Sequence, residues 1–76
     1  MNRRMPTLKA REIMRILRLL GFAIIRQTGS HVFFQHSDGR TTLVPRHGGE
    51  DIGRGLLRQI LREIKMTPEE FLDFLK

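Results

Sequence analysis

The sequence predicts an α+β domain: a three-stranded antiparallel sheet flanked by two helices, with a short third helix near the C-terminal end. Three observations carry that expectation. Two separated segments repeat apolar residues at helical spacing. Between them lie three β-rich segments joined by short connections, which imply an antiparallel meander. After the second helical segment, Thr67-Pro68-Glu69-Glu70 has the composition of a helix start.

Residues 1–8 contain Arg3, Arg4 and Pro6 with little periodicity and read as a flexible basic arm, leaving residues 9–76 as a single domain. From Ala10 to Leu20, Ile13, Ile16, Leu17 and Leu20 fall at i, i+3, i+4 and i+7, so one stripe of a helix is buried. Arg11, Arg15 and Arg18 project roughly opposite that stripe, and Gly21 stops the helix. Phe22 to Gln27 reads as a first strand, with Ile24 and Ile25 at its centre. Thr28-Gly29-Ser30 is a tight connection, and His31 to His36 is the second strand. Ser37-Asp38-Gly39-Arg40 carries the Asp-Gly hairpin signal, and Thr41 to Val44 is the third strand, ended by Pro45.

A loop, Arg46 to Asp51, leads to a second helix from about Ile52 to Lys65. Leu56, Leu57, Ile60, Leu61 and Ile64 lie on one side of it; Arg54, Arg58, Arg62 and Lys65 lie on another. Thr67 caps the last helix, which runs to Leu75 with Phe71, Leu72 and Leu75 as anchors.

Two helices can cover one face of a three-stranded sheet, yet these strands are apolar on both faces. Val32 and Phe34 alternate with Phe33, and Ile24 with Ile25. If His31 faces the open side, Phe33 and Gln35 share that side while Val32 and Phe34 fill the core. Phe33 then belongs to an exposed apolar patch of the kind that a protein partner covers, and a partner laid over Phe33 also covers His31.

At 76 residues a core is feasible but marginal. The absence of cysteine excludes disulfides, thiol catalysis and cysteine-based zinc sites. Arg11, Glu12, Arg15 and Arg18 interrupt the first apolar segment, so it is neither a signal sequence nor a membrane span. A soluble, cytoplasmic protein with no membrane partner is expected. The formal charge is +6, and eleven of the fourteen basic residues are arginine, whose planar fork suits phosphate. Residues 1–20 hold six basic groups against Glu12, a net of +5, whereas residues 66–76 hold three acids against Lys76, a net of −2. So concentrated a basic end points to nucleic acid or an acidic protein, against the alternative of an inert solvated surface. The arginine stripes of the two helices read in the same two ways, as solvated faces or as RNA-backbone contacts.

His31 stands where a turn becomes a strand, so it either packs structurally or faces a ligand from a rigid scaffold. His47, between Pro45-Arg46 and Gly48-Gly49, holds its loop, orients a ligand or acts as a second acid–base group; His36 beside the hairpin turn is incidental. Ser30 and His31 are adjacent and point to opposite faces of an extended chain, which rules out a nucleophile–base pair. His47, Glu50 and Asp51 have no metal-ligand spacing, and the two acids oppose an anion at the following helix N-terminus, so neither metal nor cofactor is expected.

Four stretches together resemble a known family: Leu19-Leu20-Gly21-Phe22, Arg26-Gln27-Thr28-Gly29-Ser30-His31, Val44-Pro45-Arg46-His47 and Asp51-Ile52-Gly53-Arg54-Gly55-Leu56-Leu57. In this order and spacing they are similar to the HicA toxins, also called YcfA-like proteins, from about Lys9 to Leu75. Some members begin the first helix with a serine cap where this chain has Lys9, and the basic arm is an addition. The resemblance implies a double-stranded-RNA-binding-domain-like fold, α-β-β-β-α. It also implies an mRNA-cleaving toxin held inactive by a HicB-type antitoxin, with the catalytic histidine at His31.

The chemistry suits those residues. RNA cleavage requires the 2′-hydroxyl to attack the adjacent phosphorus, and histidine, with an ordinary pKa of about 6.5, exchanges protons near neutrality. Arg26 and Arg46, the arginines nearest the histidines in sequence, are candidates to stabilise the developing charge. Ser30, His47, Arg11, Arg15, Arg54 and Arg58 complete the candidate RNA contacts, and Phe33 the candidate antitoxin contact. Homo-oligomers are expected only through an antitoxin complex. The expectation is therefore a metal-independent endoribonuclease; the alternative is a non-catalytic RNA-binding module that blocks translation by occupancy.

Overall fold

The computed structural model describes residues 5–46 and 48–75. Its elements run β1 (Leu8–Lys9), α1 (Ala10–Leu19), β2 (Phe22–Thr28), β3 (His31–His36), β4 (Thr41–Pro45), β5 (Asp51–Ile52), α2 (Arg54–Glu63) and α3 (Pro68–Asp73). The expected α-β-β-β-α order with a short terminal helix is present. β2, β3 and β4 form an antiparallel sheet with β3 in the middle. β1 and β5 form a separate two-stranded antiparallel pair that sequence reasoning did not anticipate. Two-residue strands carry no periodicity, so nothing in the residues announced it.

The N-terminal segment also differs from the arm expected over residues 1–8. Met5 is 1% exposed, and Arg54 Nε donates to the Met5 carbonyl at 2.6 Å. Leu8 pairs with Ile52, so the described part of that segment, from Met5 onward, packs on the domain. Its first four residues, with Arg3 and Arg4, lie outside the described residues. Lys9 begins α1 without a side-chain cap; instead the Glu12 carboxylate accepts from the Lys9 N–H at 3.0 Å. The Lys9 ammonium reaches the other way, to the Gly49 carbonyl and, at 3.0 Å, to Asp51. That cross-link is one reason α2 starts at Arg54 rather than Ile52: Asp51 and Ile52 are committed to β1.

α1 and α2 lie on one face of the sheet. Ile13, Ile16, Leu17, Leu57, Ile60 and Leu61 meet Val32, Phe34 and Val44 in a single core, as the alternation of β3 requires. Phe71 of α3 closes the core beside Met5, and Thr67 and Glu70 form the expected capping box at its start. Leu20 is the C-cap of α1, with Gly21 after it at φ +97°, and Ile64 is the C-cap of α2, with Lys65 after it in the left-handed region at φ +58°. Around Lys65, Met66 N–H donates to Leu61 O at 3.0 Å and Lys65 N–H to Arg62 O at 3.2 Å, the pattern of a Schellman stop.

β2 contains the feature that sets the site. Thr28, Gln27 and Arg26 pair with His31, Val32 and Phe33, but Ile24 pairs with Phe34, leaving Ile25 as an extra residue in a bulge. In an unbroken strand Phe22 and Arg26 share a face, because the side-chain period is two. The bulge reverses the faces at Ile25, so Phe22 enters the core while Arg26 and Thr28 stand on the open side.

Candidate active site

His31 is exposed on the open face of the sheet, away from the helices, the arrangement in which Val32 and Phe34 fill the core. Gly29 and Ser30 form a two-residue connection between Thr28 and His31. Gly29 has φ +58° and Ser30 is not among the positive-φ residues, the sign pattern of a type II′ hairpin turn with glycine first. The turn thus presents the imidazole at the mouth of a rigid hairpin. Ser30 is half-buried, and its carbonyl accepts from the Arg46 N–H at 2.6 Å. With His31 paired to Pro45, this bond holds the start of the Arg46 loop beside the histidine. Arg46 itself is exposed.

Phe33 shares the His31 face, half-buried, and sits directly across from Arg26. The Arg26 guanidinium carbon lies 4.3 Å from the Phe33 ring centroid, a cation–π stack. Ile25, Phe33 and Leu43 line a shallow cleft of about 300 Å³ across the open face, with Glu63 at its β4 side. Ile25, 57% exposed, belongs to this patch, in keeping with the alternation of Ile24 with Ile25, and Leu43, which the strand pattern did not single out, joins it.

The other candidates are distributed along the helices. Chain direction places the first turns of α1 and α2 toward the His31 end of the sheet, because each helix ends at the opposite end: Gly21 leads into Phe22, which pairs with His36, and the Ile64 carbonyl accepts from Arg40. Arg11 and Arg54 therefore lie at the His31 end of the domain but on its helix side, with Arg15 one turn further along α1. Arg54 also ties down the Met5 carbonyl, and Arg58 lines a separate concavity of about 460 Å³ between α2 and α3 with Arg62, Met66 and Glu69. His47 lies outside the described residues. Among the described residues no group of three potential ligands could hold a metal ion, and no helix is long and apolar enough to cross a membrane.

At the far end, His36 packs edge-on against Phe22 with centroids 5.1 Å apart, and its Nδ1 accepts from the Asp38 N–H at 3.1 Å. Arg40 donates through Nε to both Asp38 carboxylate oxygens, at 2.9 and 3.1 Å. Those bonds hold the Asp38 carboxyl below its ordinary pKa. His36 is thus part of the hairpin's internal packing, remote from His31.

The chain is thus an α+β domain with its helices on one face of the sheet and an exposed, turn-mounted histidine on the other, the face that Arg26 shares. A model of the HicA toxins of bacterial toxin–antitoxin systems matches residues 10–66, three quarters of the chain, and the chain belongs to that family. Its role is accordingly that of a toxin with an antitoxin partner. No curated protein matches the chain significantly.

Proposed function

We propose that this toxin is a metal-independent endoribonuclease that cleaves mRNA at the open face, with His31 as its general acid–base group. The observation that carries the reading is the placement of His31: exposed, beside a tight turn, with Arg26 on the same face and the Arg46 backbone bonded to the neighbouring Ser30. In the reaction the 2′-oxygen bonds to phosphorus, the P–O5′ bond breaks, and protons leave the 2′-hydroxyl and reach the departing oxygen. His31 moves the proton at one of these two oxygens, a contribution of about 10²–10⁴-fold. Arg26 and Arg46 face the phosphate as its charge develops. Arg11, Arg15 and the first turn of α2 extend the basic surface from that end of the sheet, where further RNA backbone can lie.

The antitoxin, in the same reading, lies over the patch of Ile25, Phe33 and Leu43 and so covers His31. Purified His31→Ala should bind RNA but fail to cleave it, and the native chain should cleave equally with EDTA present. Cleavage retained by His31→Ala refutes the catalytic assignment. RNA binding by the native chain without any product, after prolonged incubation, replaces the enzyme with a module that acts by occupancy.

A further inference from the structure

Among the described residues two arginines lie over phenylalanine rings, and they differ in what else holds them. Arg40, 5.1 Å over Phe22, gives its hydrogen bonds to Asp38 and to the Ile64 carbonyl, so its role is internal. Arg26, closer to its ring at 4.3 Å, lies on the open face, and among the described residues no carboxylate pairs with it. The sheet pairing of Arg26 and Phe33 holds the guanidinium plane over the ring. Such a plane is a stacking surface for a nucleobase as well as a source of N–H donors for phosphate.

The cleft beside the stack has matching character. Ile25 and Leu43 give it apolar walls, and on the β4 side it reaches Thr42 and Glu63, whose carboxylate is already engaged by Thr42 Oγ1 at 2.7 Å. Apolar walls suit the face of a nucleobase and not a phosphate. Phe33 lies two residues from His31 on the same face, about 7 Å along the strand. A phosphate at His31 therefore leaves the flanking nucleotide over Phe33.

We propose that the Arg26–Phe33 stack and the adjoining cleft form a subsite for one unpaired nucleobase next to the scissile phosphate, with Phe33 as the positioning residue for Arg26. The proposal rests on RNA being the substrate at His31, and it specifies a single-stranded stretch, because a base inside a duplex cannot reach the cleft. It also explains why an antitoxin over Phe33 would displace substrate as well as cover the histidine.

The test uses the His31→Ala protein, so that binding is read apart from cleavage. Affinity is measured by fluorescence anisotropy at fixed salt for a short labelled single-stranded RNA and for the same sequence as a duplex. Adding Phe33→Leu should weaken single-strand binding on the order of tenfold, with duplex binding unchanged, while Phe33→Tyr should keep the parent affinity. Arg26→Lys, which keeps the charge without the plane, should lose a similar factor, and little more when combined with Phe33→Leu. Parent-like single-strand binding by Phe33→Leu overturns the subsite, as does an equal loss on duplex or a failure of Tyr to restore binding. Loss of antitoxin binding alone, with RNA binding intact, makes the cleft a protein-docking surface and also overturns it. If His31→Ala still cleaves RNA, the catalytic assignment falls, while the affinity comparison still decides the subsite on an uncleavable 2′-deoxy-substituted strand.

Discussion

Gly21→Ala probes the packing that anchors the sheet to α1. At φ +97° the residue is outside the conformations that an L side chain adopts comfortably, at a cost of about 1–2 kcal/mol. A Cβ there stands 3.0 Å from His36 Nε2 and 3.3 Å from Cδ2. The ring has little room to yield, because it packs on Phe22 and accepts from Asp38 N–H, and Asp38 is itself gripped by Arg40. Relief of that contact adds about another 1 kcal/mol, in the range for overpacking. The total of about 2–3 kcal/mol is a large part of the roughly 4–11 kcal/mol that a domain of this length has to lose. At about 4–8 °C per kcal/mol, the midpoint of thermal unfolding falls by about 10–20 °C. Gly29→Ala is the reference: its φ is also positive, at +58°, but its Cβ meets nothing within 4 Å, so it bears the backbone term alone. Melting followed by circular dichroism at neutral pH should rank the parent above Gly29→Ala and Gly29→Ala above Gly21→Ala. His36→Ala should cost less in the Gly21→Ala background than in the parent, since it then removes a clash as well as a contact. Gly21→Ala melting at or above Gly29→Ala, or strict additivity with His36→Ala, refutes the reasoning.

Lys65→Gly should act in the opposite sense, because Lys65 occupies at φ +58° the left-handed position of a Schellman stop; a gain of up to about 1 kcal/mol is expected in denaturant melts. Phe34→Ala, at a fully buried position between the sheet and both helices, should cost about 3–5 kcal/mol, visible as a lowered urea midpoint with an unchanged slope. Thr67→Ala removes the hydroxyl that accepts from Glu70 N–H at 3.1 Å and should cost about 0.5–2 kcal/mol. The carboxyls of Asp38, Asp51 and Glu70 are held below their ordinary pKa values, chiefly by hydrogen bonds from Arg40, Lys9 and the Thr67 N–H respectively. Depressed folded-state values make their contribution present above the ordinary carboxyl range, about pH 4, and lost as pH falls through the lowered values. Asp38→Asn should therefore melt below the parent at pH 6, and the gap should close toward pH 3; a gap that widens in acid contradicts that sign.

Much of this architecture is local and could be read from residues alone. The stripe Ile13, Ile16, Leu17 placed α1, the Asp38-Gly39 turn placed the second hairpin, and Thr67 with Glu70 placed the start of α3, because each depends on neighbours within a few residues. Strand alternation tied His31 to the face of Phe33 and Gln35, and the burial of Val32 and Phe34 made that face the open one. What lay beyond the sequence depends on residues distant in the chain. Leu8 and Lys9 form a strand because Ile52 and Asp51 complete it, and Met5 is buried because Arg54, α2 and α3 come together around it. The bulge at Ile25 has the same origin. Neither Phe22 nor Arg26 announces a break in the strand; the break arises because the core takes Phe22 while Phe33, on the opposite face, stacks against Arg26. A side-chain period of two cannot satisfy both, and one extra residue in β2 resolves the conflict. Residue pattern thus determined the helices, the meander and which strand residues share the face of the histidine, whereas tertiary packing decided the β1–β5 pair and sent Phe22 into the core through the bulge.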